Sequence, residues 1–253
     1  MKDALSFLAC TYASSIPFLN SVFVSHSKTV PNFGRIKAEI EIRVCLNRAC
    51  RRQGSMETLQ TLSGIAPPDV SVRSCGCLGR CGGGPNLVVL PGAVYVGHCG
   101  TSARAAHTMM DICGGDSDSW RKSLEALALR KRAEDEMDKG NFPQADLLLS
   151  EAIDLNPFGG IHILYKERSA AKLAMGNMDE ALEDAKEALA LAPKYPEAYI
   201  CQGDAFMAMD QFDEVEKSYS MAIDLDPSIR RTKSFKARIA RFQEKLAAAG
   251  LIS

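Results

Sequence analysis

Four cysteines in two pairs are the residues of this sequence best suited to do chemistry. Cys45 and Cys50 stand with four residues between them, and Cys77 and Cys81 with three. The second pair lies inside a glycine-dense run, Cys77-Leu78-Gly79-Arg80-Cys81-Gly82-Gly83-Gly84-Pro85-Asn86. Thiolates are soft ligands that suit zinc, copper(I) and iron–sulfur clusters. Four of them can close a tetrahedral zinc site or hold a two-iron cluster, two on each iron. A cluster also needs backbone that comes close to its sulfides and aims N–H groups at them. Glycine, without a Cβ and tolerant of positive φ, supplies such backbone. Zinc knuckles favour two residues between paired cysteines, so gaps of four and three beside Gly79, Gly82, Gly83 and Gly84 favour a 2Fe–2S cluster, with zinc as the alternative. Cys75, two residues before Cys77, could substitute as a ligand.

The elements that must position these thiols can be read around them. Ile40 to Cys45 alternates apolar and polar, the period of a strand. Met56, Leu59 and Leu62 recur at helical spacing, and Pro67-Pro68-Asp69 ends that helix in a turn. Val70 to Arg73 is a second strand, and Leu87–Leu90 and Ala93–Val96 form a hairpin across Pro91-Gly92. Thr101 is the expected N-cap of a helix running to about Cys113. The order is strand, helix, strand, loop, strand, strand, helix, that of a small thioredoxin-like α/β domain. Cys99 and Cys113 read as buried apolar residues.

Val44-Cys45-Leu46-Asn47-Arg48-Ala49-Cys50, followed by the run from Cys77 to Asn86, resembles the thioredoxin-like 2Fe–2S ferredoxins. It is also similar to the cluster-bearing small subunit of respiratory complex I, which shares both cysteine gaps. The resemblance covers residues 38–114 and implies Cys45, Cys50, Cys77 and Cys81 as cluster ligands. The interval from Cys50 to Cys77 is short for the complex I subunit, and the sequence beyond residue 114 has no counterpart there.

After a linker at 115–119, the sequence turns wholly helical. Pro157, Pro193 and Pro227, 36 and 34 residues apart, each follow an ending of one type: Ala-Ile-Asp-Leu-Asn, Ala-Leu-Ala-Leu-Ala and Ala-Ile-Asp-Leu-Asp. Small residues recur in register at Ala133, Ser169 and Gly203, and turn residues at Gly140, Gly176 and Asp210. The period resembles the tetratricopeptide repeat, a helix–turn–helix unit. Three repeats are expected over 120–229, with a capping helix at 230–249 carrying Phe235, Ile239 and Phe242 on one face. Gly159-Gly160 accounts for the two extra residues of the first interval.

The fold class expected is therefore a thioredoxin-like α/β ferredoxin domain followed by an all-α tetratricopeptide-repeat domain. Residues 1–35 are rich in serine, with Asp3 the only acid, which is the composition of a transit peptide. Scarce arginine favours the chloroplast over the mitochondrion. The leading functional expectation is a 2Fe–2S protein that the repeats dock to a partner, acting in electron transfer, redox sensing or assembly of an organellar complex. The alternative is a non-redox adaptor whose cysteine domain is zinc-bound or metal-free; a thiol oxidoreductase is a third reading. Activity as an enzyme is not expected, because no general base or nucleotide motif is evident. A formal net charge of −1 gives no signal for nucleic acid. No apolar run nears the roughly 20 residues of a membrane span. Chaperone tails are excluded as partners at this stage: by register Arg130 is basic where a carboxylate clamp needs it, but Glu134, Glu167, Glu197 and Cys201 replace the other clamp residues.

Overall fold

The computed structural model describes residues 40–251, so the expected transit peptide at 1–35, with Cys10, lies outside the described residues. Strand β1 (Ile40–Cys45) is followed by α1 (Arg48–Arg52), α2 (Ser55–Ile65), β2 (Val70–Cys75), β3 (Leu87–Leu90), β4 (Val94–Val96) and α3 (Ser102–Cys113). The sheet runs β2-β1-β3-β4. β1 lies parallel to β2 and antiparallel to β3, and β3 antiparallel to β4. The alternation in β1 does what a period of two must, burying Ile42 and Val44 completely while Arg43 faces water. Thr101 caps α3 as expected, its side chain accepting from the Arg104 amide.

Seven helices follow: α4 (Ser117–Asp138), α5 (Phe142–Asp154), α6 (Ile161–Ala174), α7 (Met178–Leu191), α8 (Pro196–Ala208), α9 (Phe212–Leu225) and α10 (Lys233–Ala248). Residues 115–119 are less a spacer than the approach to α4, whose N-cap is Asp116. The helix then joins the sheet's own core. Trp120 and Leu127 are buried with Ile42, Leu62, Leu87 and Met109, and the Trp120 indole donates to the Gly114 carbonyl at 2.8 Å.

The small residues of the repeats sit where helices touch. Ala133 is fully buried, Ser169 donates to the Ala181 carbonyl at 2.7 Å, and a Cβ on Gly203 would strike the Tyr219 ring at 2.4 Å. At the turns Gly140, Gly176 and Asp210 all take positive φ, which costs a residue other than glycine more. α10 covers the last pair: Phe235 packs edge-on against Tyr219 at 5.3 Å, and Phe242 lies 6.1 Å from Phe212.

Gly159 and Gly160 do more than lengthen one interval. A Cβ on Gly159 would lie 2.1 Å from the Ile65 carbonyl oxygen, and one on Gly160 2.2 Å from that of Gly64. The Gly160 amide donates to the Ala66 carbonyl at 3.0 Å. The end of α2 thus seats backbone to backbone against the start of α6, which only two glycines allow.

Candidate functional site

The cysteines gather at one end of the sheet. Cys45 ends β1, Cys50 lies in α1 one turn past the corner, and both are 1% exposed. Cys77 and Cys81 are exposed on the loop between β2 and β3, their sulfurs 3.9 Å apart. Four contacts involving side chains hold the loop. The Gly79 amide lies 3.4 Å from the Cys77 sulfur. The buried Asn86 carboxamide donates to the Arg80 carbonyl at 2.7 Å and reaches the Cys50 sulfur at 3.5 Å. The Arg80 guanidinium lies 4.5 Å from the centre of the Tyr95 ring. Gly84 leaves room for the thiols, since a Cβ there would stand 3.0 Å from the Cys50 sulfur.

Burial alone would raise the Cys45 thiol, but hydrogen bonding with the Asn47 and Leu78 backbone and with Cys50 and Cys77 brings it below the ordinary range. Cys81 is pushed up, first by its hydrogen bond with Cys77 and then by that neighbour's charge. Cys75 faces Cys45 across the parallel pairing of β1 and β2, and burial and the Cys45 charge push it up. Its thiolate is accordingly disfavoured. The four expected ligands are therefore neighbours with mutual electrostatics, a donor set suited to soft metals. Among the described residues, no three His, Cys, Asp or Glu side chains converge on a point that would hold a single ion. Cys99 is fully buried as expected, whereas Cys113 is only half-buried beside the core, its thiol pushed by burial up to about 12.

A second concentration of chemistry lies where the first helices of successive repeats meet. Arg130 of α4 has its Nε 3.2 Å from Glu134 and 3.8 Å from Glu167 of α6. Lys166 stands 3.4 Å from Glu167, and the Cys201 thiol of α8 points at the Lys166 carbonyl from 3.8 Å. His162 packs edge-on against Tyr195 at 5.1 Å. Burial, reinforced by Arg130 and Lys166, pushes His162 down to about 4. Burial pushes Glu167 up against the pull of Lys166 and Arg130. Register in the sequence had singled out Arg130, Glu134, Glu167 and Cys201, and these do come together. His162, Lys166 and Tyr195 were missed because no single-helix periodicity marks them; they meet the cluster only through packing between helices. α7 carries five acids, Asp179, Glu180, Glu183, Asp184 and Glu187, which read as a solvated stripe, but not all of them face water. Asp184, 3% exposed, accepts two bonds from Arg168 at 2.7 and 2.8 Å and lies 3.0 Å from Lys172.

Residues 172–239 match the family model described as "Tetratricopeptide repeat". Over 78 residues, 31% of the chain, the sequence is 38% identical to "Protein STIP1 homolog" of Dictyostelium discoideum. Over 104 residues, 41% of the chain, it is 30% identical to "Hsp70-Hsp90 organising protein" of Plasmodium falciparum. The matches span 14% and 40% of those relatives' own lengths. Among solved structures, "First TPR of Spaghetti (RPAP3) bound to HSP90 peptide SRMEEVD" is similar at 22% identity and a TM-score of 0.43, over 49% of this chain and 94% of that one.

These relatives overturn two expectations. An iron–sulfur protein of electron transfer or redox sensing does not stand as the function, because the relative from Plasmodium falciparum is named an Hsp70-Hsp90 organising protein; it favours the adaptor alternative. The exclusion of chaperone tails falls with it: Glu134, Glu167, Glu197 and Cys201 were judged one position at a time, and substitution at single positions does not decide what a groove built from three helices accepts. Among the described residues, no helix is long and apolar enough to cross a membrane. Paired helices in register and small residues at their crossings make the helical part of this chain a region of tetratricopeptide-repeat type, of which residues 172–239 match the family model.

Proposed function

We propose that this chain is a docking adaptor whose repeats hold an extended acidic segment of a partner, of the chaperone class that its relatives' names point to. The observation that carries the reading is the joint presence of those relatives over the repeats and of Arg130 and Lys166 on the floor where the first helices meet. Cations on a half-buried floor bind carboxylates more strongly than they would in open water. Calorimetric titration of the whole chain with the peptide SRMEEVD tests it. Saturable binding at about micromolar to tens of micromolar peptide supports the reading. No binding above that of a scrambled, C-terminally amidated peptide refutes it.

We further propose that Cys45, Cys50, Cys77 and Cys81 hold a two-iron cluster, a centre larger than a single ion, with Cys75 outside the ligand set. We also propose the domain bounds read from the sequence: a thioredoxin-like module over 38–114, repeats over 120–229 and a cap over 230–249, with 1–35 addressing the chain to the chloroplast. Proximity of the four thiols, the Asn86 contacts and the gap at Gly84 support the ligand set. The bound centre would tie the β1–α1 corner to the loop before β3, so that its binding energy becomes folding energy. Metal and sulfide analysis of protein purified without air decides the occupant. Loss of metal in Cys77→Ser but not in Cys75→Ser is expected; the reverse sinks the assignment.

A further inference from the structure

Glu167 is an unusual residue for the floor of a groove that receives acids. It is 9% exposed, and its Oε1 is shared between Lys166 and Arg130. Its Oε2 is buried and has no hydrogen-bond partner among the described residues, as is true of His162 Nδ1 beside it. A buried polar atom left unpaired is costly, and for a carboxylate the cost falls when a proton removes its charge.

We propose that Glu167 is a proton-operated gate on the repeat groove: an acidic peptide docks against Arg130 and Lys166 when Glu167 is protonated and is repelled when it is ionised. This rests on the adaptor reading above. The charges nearest the site come from α4, α6 and α8, while Asp146 of α5 and Asp184 of α7 act on Arg168 and Lys172 instead. α4 brings Arg130 and Glu134, α6 brings His162, Lys166 and Glu167, and α8 brings Glu197 beside Tyr195 and Cys201. With Glu167 ionised, Glu134 and Glu167 balance Arg130 and Lys166, and an incoming carboxylate meets no net attraction. A proton on Glu167 removes one negative charge and frees Arg130 and Lys166 for the peptide. Burial raises the Glu167 carboxyl, which moves its proton uptake toward neutral pH. His162 is held down to about 4 and burial pushes Cys201 up to about 11, so neither changes charge in the window that matters.

The probe is fluorescein-labelled SRMEEVD, read by anisotropy with the whole chain from about pH 8 down to about pH 5, the range above the ordinary glutamate value. In wild type, affinity is expected to rise as pH falls, by up to about tenfold per unit while Glu167 takes up its proton. Glu167→Gln keeps the shape, is always neutral and always carries a donor. It should bind at least as tightly as wild type at acid pH and show no slope. Arg130→Met should weaken binding at every pH. A flat wild-type profile, or a slope that persists in Glu167→Gln, overturns the gate while leaving the adaptor intact. No binding by any of the three proteins refutes the adaptor and the gate together. The wild-type slope stands as a test even if a variant fails to fold.

Discussion

Replacing Gly160 by alanine tests whether the cysteine-bearing sheet and the repeats unfold as one body. Gly160 takes φ +81°, a region that costs an L-residue with a Cβ about 1–2 kcal/mol. The added methyl would also lie 2.2 Å from the Gly64 carbonyl oxygen, and backbone at the end of α2 cannot swing aside as a side-chain tip would. Relief requires α2 and α6 to part, which strains the 3.0 Å bond from the Gly160 amide to the Ala66 carbonyl, a net loss of about 1 kcal/mol more. The sum is about 2–4 kcal/mol, or roughly 5–15 °C in melting temperature for a chain of this size. Gly176→Ala is the internal control. It carries the same kind of strain at φ +86° but has nothing within 4 Å of the new methyl, so it should cost only about 1–2 kcal/mol. Circular dichroism at the helical band and fluorescence of Trp120, which packs in the sheet core, should report one transition, shifted together. Equal shifts for the two variants would refute the interlock. So would a helical transition that moves while the tryptophan signal stays in place.

Asp184→Ala should destabilise by about 3 kcal/mol in urea denaturation, because it strands Arg168 and Lys172 in a site where Asp184 is 3% exposed. Asp184→Asn should cost less, since it keeps one acceptor for the guanidinium. His162 gives a pH signature: its folded value of about 4 lies below the unfolded 6.5, so the unfolded chain binds a proton that the folded chain refuses. The resulting destabilisation is absent above about pH 6.5 and grows to roughly 2–3 kcal/mol as pH falls to 4, and His162→Phe should remove it. Glu167 works in the opposite sense, its raised carboxyl favouring the folded state as it takes up a proton. Glu167→Gln should therefore steepen the acid loss that His162→Phe flattens.

Much of the architecture was legible because it is written in local periods. Alternation at Ile40, Ile42 and Val44, the prolines at 157, 193 and 227, and the small residues at 133, 169 and 203 each report a face or a turn, and a period is enough to locate those. What a period cannot report is the surface on which a face packs. The sequence gives no sign that Trp120 and Leu127 of α4 complete the sheet's core, because their spacing suits packing on either neighbour. Asp184 reads as part of an acidic outer stripe, and only the arrival of Arg168 from α6 turns it inward. The groove cluster was half legible for the same reason. Register marks Arg130, Glu134, Glu167 and Cys201, whereas His162 and Tyr195 enter from the ends of α6 and the loop before α8. The cysteine pairs were found by count and spacing, yet their spacing does not disclose that Cys50 is buried against Asn86 while Cys77 stands in water.

One element joins the two chemical centres. α2 begins two residues past Gln53, just beyond Cys50, and ends in the carbonyls of Gly64, Ile65 and Ala66 on which Gly159 and Gly160 sit. His162 follows two residues after Gly160, and Glu167 one turn and a half beyond that. A displacement at the Cys50 end therefore has a backbone path, through a helix of 11 residues, to the floor of the groove. A path is not coupling; coupling is an interaction free energy between the ends. It is measurable as a double-mutant cycle between Cys50→Ser and Gly160→Ala, read out as the affinity of the whole chain for SRMEEVD. If α2 transmits strain as a rigid strut, loosening its seat on α6 should remove the effect of disturbing Cys50, giving an interaction of about 0.5 kcal/mol or more. Strict additivity would mean that the sheet is carried by the repeats without instructing them, and that whatever the thiols hold acts on the stability of its own half alone.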